Sequence, residues 1–131
     1  MTRKRPRLSH GELAVARTLW SLGTATVGQV HEAMPATRQM DYTTVQTYIR
    51  RLEDKGYLKS RREGRTKHYT ARVRPETVIG ETVNELMEQW FDGQLSRLVR
   101  HLVDERGMAD EEIRQLRSIL DEAGQNHPTR Y

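Results

Sequence analysis

With 131 residues, 15.3 kDa, 35% hydrophobic and 31% charged residues and a mean hydropathy of -0.84, the chain has material for one modest domain and a short extension, which excludes a multidomain enzyme. The longest aliphatic run is residues 13–16, so a soluble, cytoplasmic chain without a spanning helix or secretory signal is expected, and zero cysteines exclude disulfides, thiolate metal sites and cysteine nucleophiles. The net charge of +4 hides an asymmetry: residues 1–74 hold sixteen Lys/Arg against six Asp/Glu, residues 75–131 six against twelve, which points to a polyanion partner for the first part only.

At the start, the cluster Arg3-Lys4-Arg5-Pro6-Arg7 leaves two readings open: an arm tracking a phosphate backbone, with Arg5 and Arg7 as contacts, or a solubilising tail. Ser9 with Glu12 forms a capping box that predicts a first helix, flanked by Leu8 and Leu13 at the spacing of a hydrophobic staple. Leu13, Ala16, Leu19 and Trp20 make its apolar face, and Gly23 stops it. Thr26 with Gln29 repeats the capping signal for a short second helix bearing Val27, Val30 and Met34, ended by Pro35.

Asp41 or Thr43 caps a third helix that runs to Lys55, with Gly56 as a left-handed C-cap. Val45, Tyr48, Ile49 and Leu52 fall on one side, and the opposite face collects Thr43, Thr47, Arg50 and Asp54, flanked by Thr44, Gln46 and Arg51. A flank built only for solubility carries Glu and Lys; Thr and Gln bond base edges, and Arg forks onto guanine or phosphate. Residues 57–60 and 66–71 then read as the strands of a β-hairpin around Arg62-Glu63-Gly64-Arg65. Leu58 and Tyr69 face inward, while Lys59, Arg61, Arg62, Arg65 and Lys67 exceed the charge an edge strand needs against aggregation. Three helices and a basic hairpin predict a mainly α fold with a winged helix-turn-helix at residues 1–74, its third helix in the major groove and its wing on phosphate or minor groove.

The acidic part predicts three amphipathic helices at residues 75–124: one from Pro75 to Asp92-Gly93, one from Leu95 to Gly107, and one from Asp110 to Gly124. A region this small with several apolar faces covers them most economically against a second copy. Ile79, Val83, Leu86, Trp90, Leu95, Leu98, Leu102, Ile113, Leu116 and Leu120 are the expected homodimer interface, and residues 125–131 a frayed tail. The alternative is a monomer whose helices fold back on the winged domain. His10, His31, His68, His101 and His127 are dispersed, and no catalytic or nucleotide-binding motif occurs, so no enzyme activity, metal or cofactor is expected.

The residues that carry this reading also resemble a known family, the penicillinase and methicillin-resistance repressors (BlaI/MecI/CopY type). The matching features are Leu19-Trp20, the string TVQTYIRRLEDKGYL at residues 44–58, Arg65 with Tyr69, Gly93 after Trp90-Phe91, Leu98-Val99, Leu102-Val103, and Glu112-Ile113 with Leu116. The resemblance spans nearly all of residues 8–122 and implies a winged-helix transcriptional repressor of resistance or stress-response genes that binds a palindromic operator in double-stranded DNA as a dimer. It implies that Thr44, Thr47 and their neighbours address bases while Arg51 and the wing cations hold the backbone. Two departures bear on induction. Copper-responsive members carry a C-terminal cysteine cluster that is absent here, and where β-lactam-responsive members are cut at Asn-Phe this chain reads His101-Leu102. An inducing protease acting at or near that bond, or a ligand, remain as the two routes. A winged domain that binds protein instead of DNA is the competing function; it requires that Thr47→Ala and Arg50→Ala leave DNA affinity unchanged.

Overall fold

The computed structural model describes residues 5–126. Arg3 and Lys4 of the basic cluster, and residues 127–131 of the expected tail, lie outside the described residues. Helix α1 (His10–Leu22) begins at the complete capping box, with the Glu12 N–H donating to Ser9 Oγ at 3.1 Å and the Ser9 N–H to Glu12 Oε1 at 2.8 Å. Leu8 packs against the core, but Leu13, on the edge of its helix, stays 38% exposed. Helix α2 (Val27–Ala33) opens on a second capping box, Thr26 with Gln29, and buries Val30 and Met34.

After a 3₁₀ turn (Ala36–Arg38), α3 (Tyr42–Asp54) is capped at Asp41 without a side-chain bond and ends at Lys55, followed by Gly56 at φ +90°. Val45, Ile49 and Leu52 are fully buried against α1, α2 and the wing, each burial stabilising by roughly 1.5–3 kcal/mol. That apolar ridge fixes the rotation of α3. Tyr48 wedges against α1 where Gly11 lets it in: a Cβ at Gly11 would lie 2.7 Å from the Tyr48 ring.

The hairpin is longer than the spacing suggests, β2 (Leu58–Glu63) pairing antiparallel with β3 (Thr66–Ala71) from Leu58↔Ala71 to Glu63↔Thr66. Its loop is only Gly64-Arg65, with Gly64 at φ +63°, a conformation a side chain would strain. A strand of two residues, β1 (Thr24–Ala25), pairs with β3 through Thr24↔Thr70 and Ala25↔Tyr69, so the sheet runs β1-β3-β2. The sequence shows no sign of it, because two residues carry no alternation and the pairing is made by a distant strand. Trp20 Nε1 donates to the Val73 carbonyl at 2.9 Å, holding the chain that leaves the sheet.

Helix α4 (Pro75–Phe91) starts in this first compact unit, Met1–Glu81, where Val78 packs on the core, and continues into the second, Thr82–Tyr131. The division therefore falls further along than the charge break before Pro75, because packing, not charge, bounds a compact unit. In the second unit α4 stops at Asp92 (φ +52°) and Gly93, and α5 (Leu95–His101) passes into a π turn (Leu102–Arg106) that ends at Gly107. Helix α6 (Asp110–Asn126) continues through Gly124, where the sequence predicts a stop. A glycine inside a helix costs only about 1 kcal/mol, and no proline follows within the helix, so the backbone bonds carry on. No described residue of the second unit is buried. No helix is long and apolar enough to cross a membrane among the described residues.

Candidate nucleic-acid interface

With Val45, Ile49 and Leu52 buried, the opposite flank of α3 must face out, and Thr43, Gln46, Thr47, Arg50 and Arg51 are exposed, with Thr44 half-buried. Thr43, Thr44, Thr47, Tyr48 and Arg51 line one shallow depression. The Thr47 hydroxyl donates to the Thr43 carbonyl at 2.9 Å, which leaves its oxygen as an acceptor. Arg51 lies over the Tyr48 ring, 5.7 Å from its centroid, so its guanidinium is pre-positioned on an aromatic shelf.

The wing register separates its cations. Side chains opposite one another share a face, so Arg62 and Lys67 stand on the face of Leu58, Ser60 and Tyr69, which meets α3, while Lys59 and Arg61 stand on the other. Glu53 of α3 joins the two elements: Ser60 Oγ donates to its carboxylate at 2.5 Å and Lys67 Nζ approaches to 4.0 Å. Around them, burial pushes the Tyr69 phenol up, helped by Glu53 and opposed by Arg50 and Arg62, and Lys67 Nζ stands 5.8 Å from the centroid of its ring. Arg65 sits at the tip; among the described residues neither it nor Arg62 has a carboxylate partner. Arg61 pairs with Glu63 at 2.7 Å on the far face, and His68 stands 3.6 Å from the same carboxylate.

Of the basic N-terminal cluster, the described residues Arg5 and Arg7 meet the end of α3 and the start of α4. Arg5 Nη2 donates to both carboxylate oxygens of Glu81 at 3.0 and 2.9 Å, with the guanidinium 5.6 Å from the Tyr57 centroid. Arg7 is exposed, and its carbonyl accepts from Lys55 Nζ at 2.8 Å. That same ammonium lies 2.7 Å from Glu12, whose side chain is 3% exposed. Burial pushes the Glu12 carboxyl up, but the Lys55 ammonium and the bonds from Ser9 outweigh it and hold the group below the usual carboxylate range. Glu12 thus caps α1 and anchors the C-terminal end of α3 at once. Only the first of these roles is written in a local motif. A further residue that spacing alone does not select is Tyr42, 47% exposed in the first turn of α3 and edge-on to His31 at 5.8 Å.

Of the expected self-interface, Ile79 is 60% exposed in the first unit. In the second unit Val83 (45%), Leu86 (42%), Trp90 (73%), Leu95 (63%), Leu116 (38%) and Leu120 (67%) are exposed, and Leu98, Leu102 and Ile113 half-buried. Among the described residues no three His, Asp or Glu side chains gather as metal ligands.

The sequence profile of the penicillinase repressor family matches residues 8–122. The penicillinase repressor of Bacillus licheniformis is 28% identical over 120 residues, covering 92% of this chain and 94% of that protein. The transcriptional regulator BlaI of Mycobacterium tuberculosis is 36% identical over 129 residues, covering 97% and 92%. A solution structure of the DNA-binding domain of the repressor BlaI aligns with 56% of this chain and 90% of that one, at 30% identity and a TM-score of 0.49.

Proposed function

The chain belongs to the penicillinase repressor family, and from that premise we propose that it is a cytoplasmic transcriptional repressor that binds a palindromic operator as a homodimer. The observation that carries the proposal is the exposed flank of α3: Thr43, Thr44, Gln46, Thr47, Arg50 and Arg51 face outward because Val45, Ile49 and Leu52 are held inside. Thr44, Gln46 and Thr47 address base edges and thymine methyls, Arg50 and Arg51 base or phosphate, and Arg62, Lys67 and Arg65 the flanking backbone. Arg61, on the far face and paired, adds general positive charge; Arg5 and Arg7 belong to a structural segment.

The uncovered apolar side chains of α4, α5 and α6 support self-association, which places two copies of α3 one or two duplex turns apart, roughly 34 Å per turn. Occupancy of such a site excludes polymerase from the promoter. Induction follows by loss of bivalency, through a partner protease at or near His101-Leu102, the bond where α5 gives way to the π turn, or through a ligand. Selection of bound sequences from a random DNA pool tests the central claim. A palindrome is expected, with Thr47→Ala relaxing one base position by about 1–3 kcal/mol and Arg50→Ala weakening binding. Retention of full DNA affinity by both variants favours the protein-interaction reading instead.

A further inference from the structure

The capping box sets Leu13 at the spacing of a staple to Leu8, yet only Leu8 packs on the core and Leu13 stays 38% exposed. Leu13 stands on one wall of an open cleft of about 640 Å³, between α1 and the segment that runs from the end of α2 into the 3₁₀ turn. Leu13 and Ala14 line it from α1, Ala33 and Pro35 from the other side, and Arg17 and Arg38 bring one guanidinium from each. Among the described residues no Asp or Glu lines it. Beneath it the buried Thr18 donates to the Ala14 carbonyl at 3.0 Å and stands 3.4 Å from Met34 Sδ, which ties α1 to the end of α2. The whole cleft belongs to the first unit.

This cleft lies apart from the surface offered to DNA. On α1, Gly11 meets Tyr48 and Glu12 meets Lys55, both at α3, and Leu13 and Arg17 stand about 100–160° round the helix from those two. The depression on the outer flank of α3 shares no residue with the cleft. A phosphate backbone has no apolar group to set on Leu13 and Pro35. A small ligand fits the volume but not the shape, because sites for such ligands enclose most of the ligand's surface and this one is open. A peptide meets both demands: an apolar side chain covers Leu13, and carboxylates on either side of it reach the arginines, which fork onto carboxylate. We propose that the α1–α2 cleft is a docking surface for an acidic peptide segment of a partner protein, with Leu13 as the apolar contact and Arg17 and Arg38 as the carboxylate contacts. The inference adds a protein partner to the DNA-binding reading and does not depend on it.

The test selects binders to the intact chain from a displayed library of random peptides of about sixteen residues, and measures the strongest as a labelled synthetic peptide by fluorescence anisotropy. The enriched sequences are expected to carry two or more Asp or Glu close to a Leu, Phe or Trp. Arg17→Ala and Arg38→Ala are each expected to weaken that peptide about fivefold, Leu13→Ser about tenfold, and Arg17→Glu with Arg38→Glu more than about a hundredfold. All three side chains are exposed, so the urea midpoints should stay at the wild-type value. If Leu13→Ser lowers the midpoint, the arginine variants decide. No enrichment, enrichment of peptides without acids, or binding that the double Glu variant leaves intact overturns the proposal. Displacement of the peptide by a mixed-sequence duplex places it on the cationic flank of α3 and overturns it too. A change in the sedimentation of the double Glu variant alone makes the cleft a contact between two copies of the chain, which likewise overturns it.

Discussion

Glu12 accepts from the Ser9 N–H at the start of α1 and from Lys55 at the end of α3, so one carboxylate positions both helices. Glu12→Gln keeps an acceptor for the cap and removes the charge. It is expected to destabilise the fold by about 2 kcal/mol, below the figure for a fully buried pair because Lys55, 26% exposed, turns to water. Because the folded carboxyl is held below its ordinary value, its contribution is complete above the unfolded pKa of about 4.3 and disappears as pH falls through the lowered folded value. Urea titrations should thus show a gap between wild type and Glu12→Gln that is constant at neutral pH and closes in acid. A gap that widens in acid contradicts the assignment. Gly11 operates at the same scale: Gly11→Ala pushes on the Tyr48 ring, and through it on the shelf that carries Arg51.

At the scale of the element, α3 and the wing act as one cationic surface only where the register lets them. Arg62 and Lys67 share the face that meets α3, and Arg65 caps the tip; Lys59 and Arg61 look the other way. Each phosphate neutralised releases counterions, so Arg62→Ala and Arg65→Ala should each weaken operator binding evenly across sequences and lower the log–log salt slope by about 1. Arg61→Ala, with its partner Glu63 at 2.7 Å, should leave the slope nearly unchanged. Binding isotherms at several salt concentrations decide this. Equal slopes for all three variants would remove the distinction between the two wing faces.

For the whole molecule, the expected consequence of the uncovered helices is that Trp90→Ala with Leu120→Asp yields a monomer in sedimentation, with single half-site affinity kept and full-operator affinity lowered by about 10²–10⁴. A variant that stays dimeric would move the self-interface elsewhere. Much of this organisation is legible in the chain itself. The paired capping residues Ser9/Glu12 and Thr26/Gln29, the apolar series Val45, Ile49 and Leu52, and the basic run around Gly64 are local signals, and each sets structure within a few residues of where it is written. Tertiary packing alone decided the rest: the two-residue β1, the division of the wing cations by strand register, the burial of Glu12 against Lys55, and the pairing of Arg5 with Glu81. The physical reason is range. Caps and helical periodicity act within one or two turns, whereas the partner of a strand edge or of a charged group is whatever a distant part of the chain brings beside it.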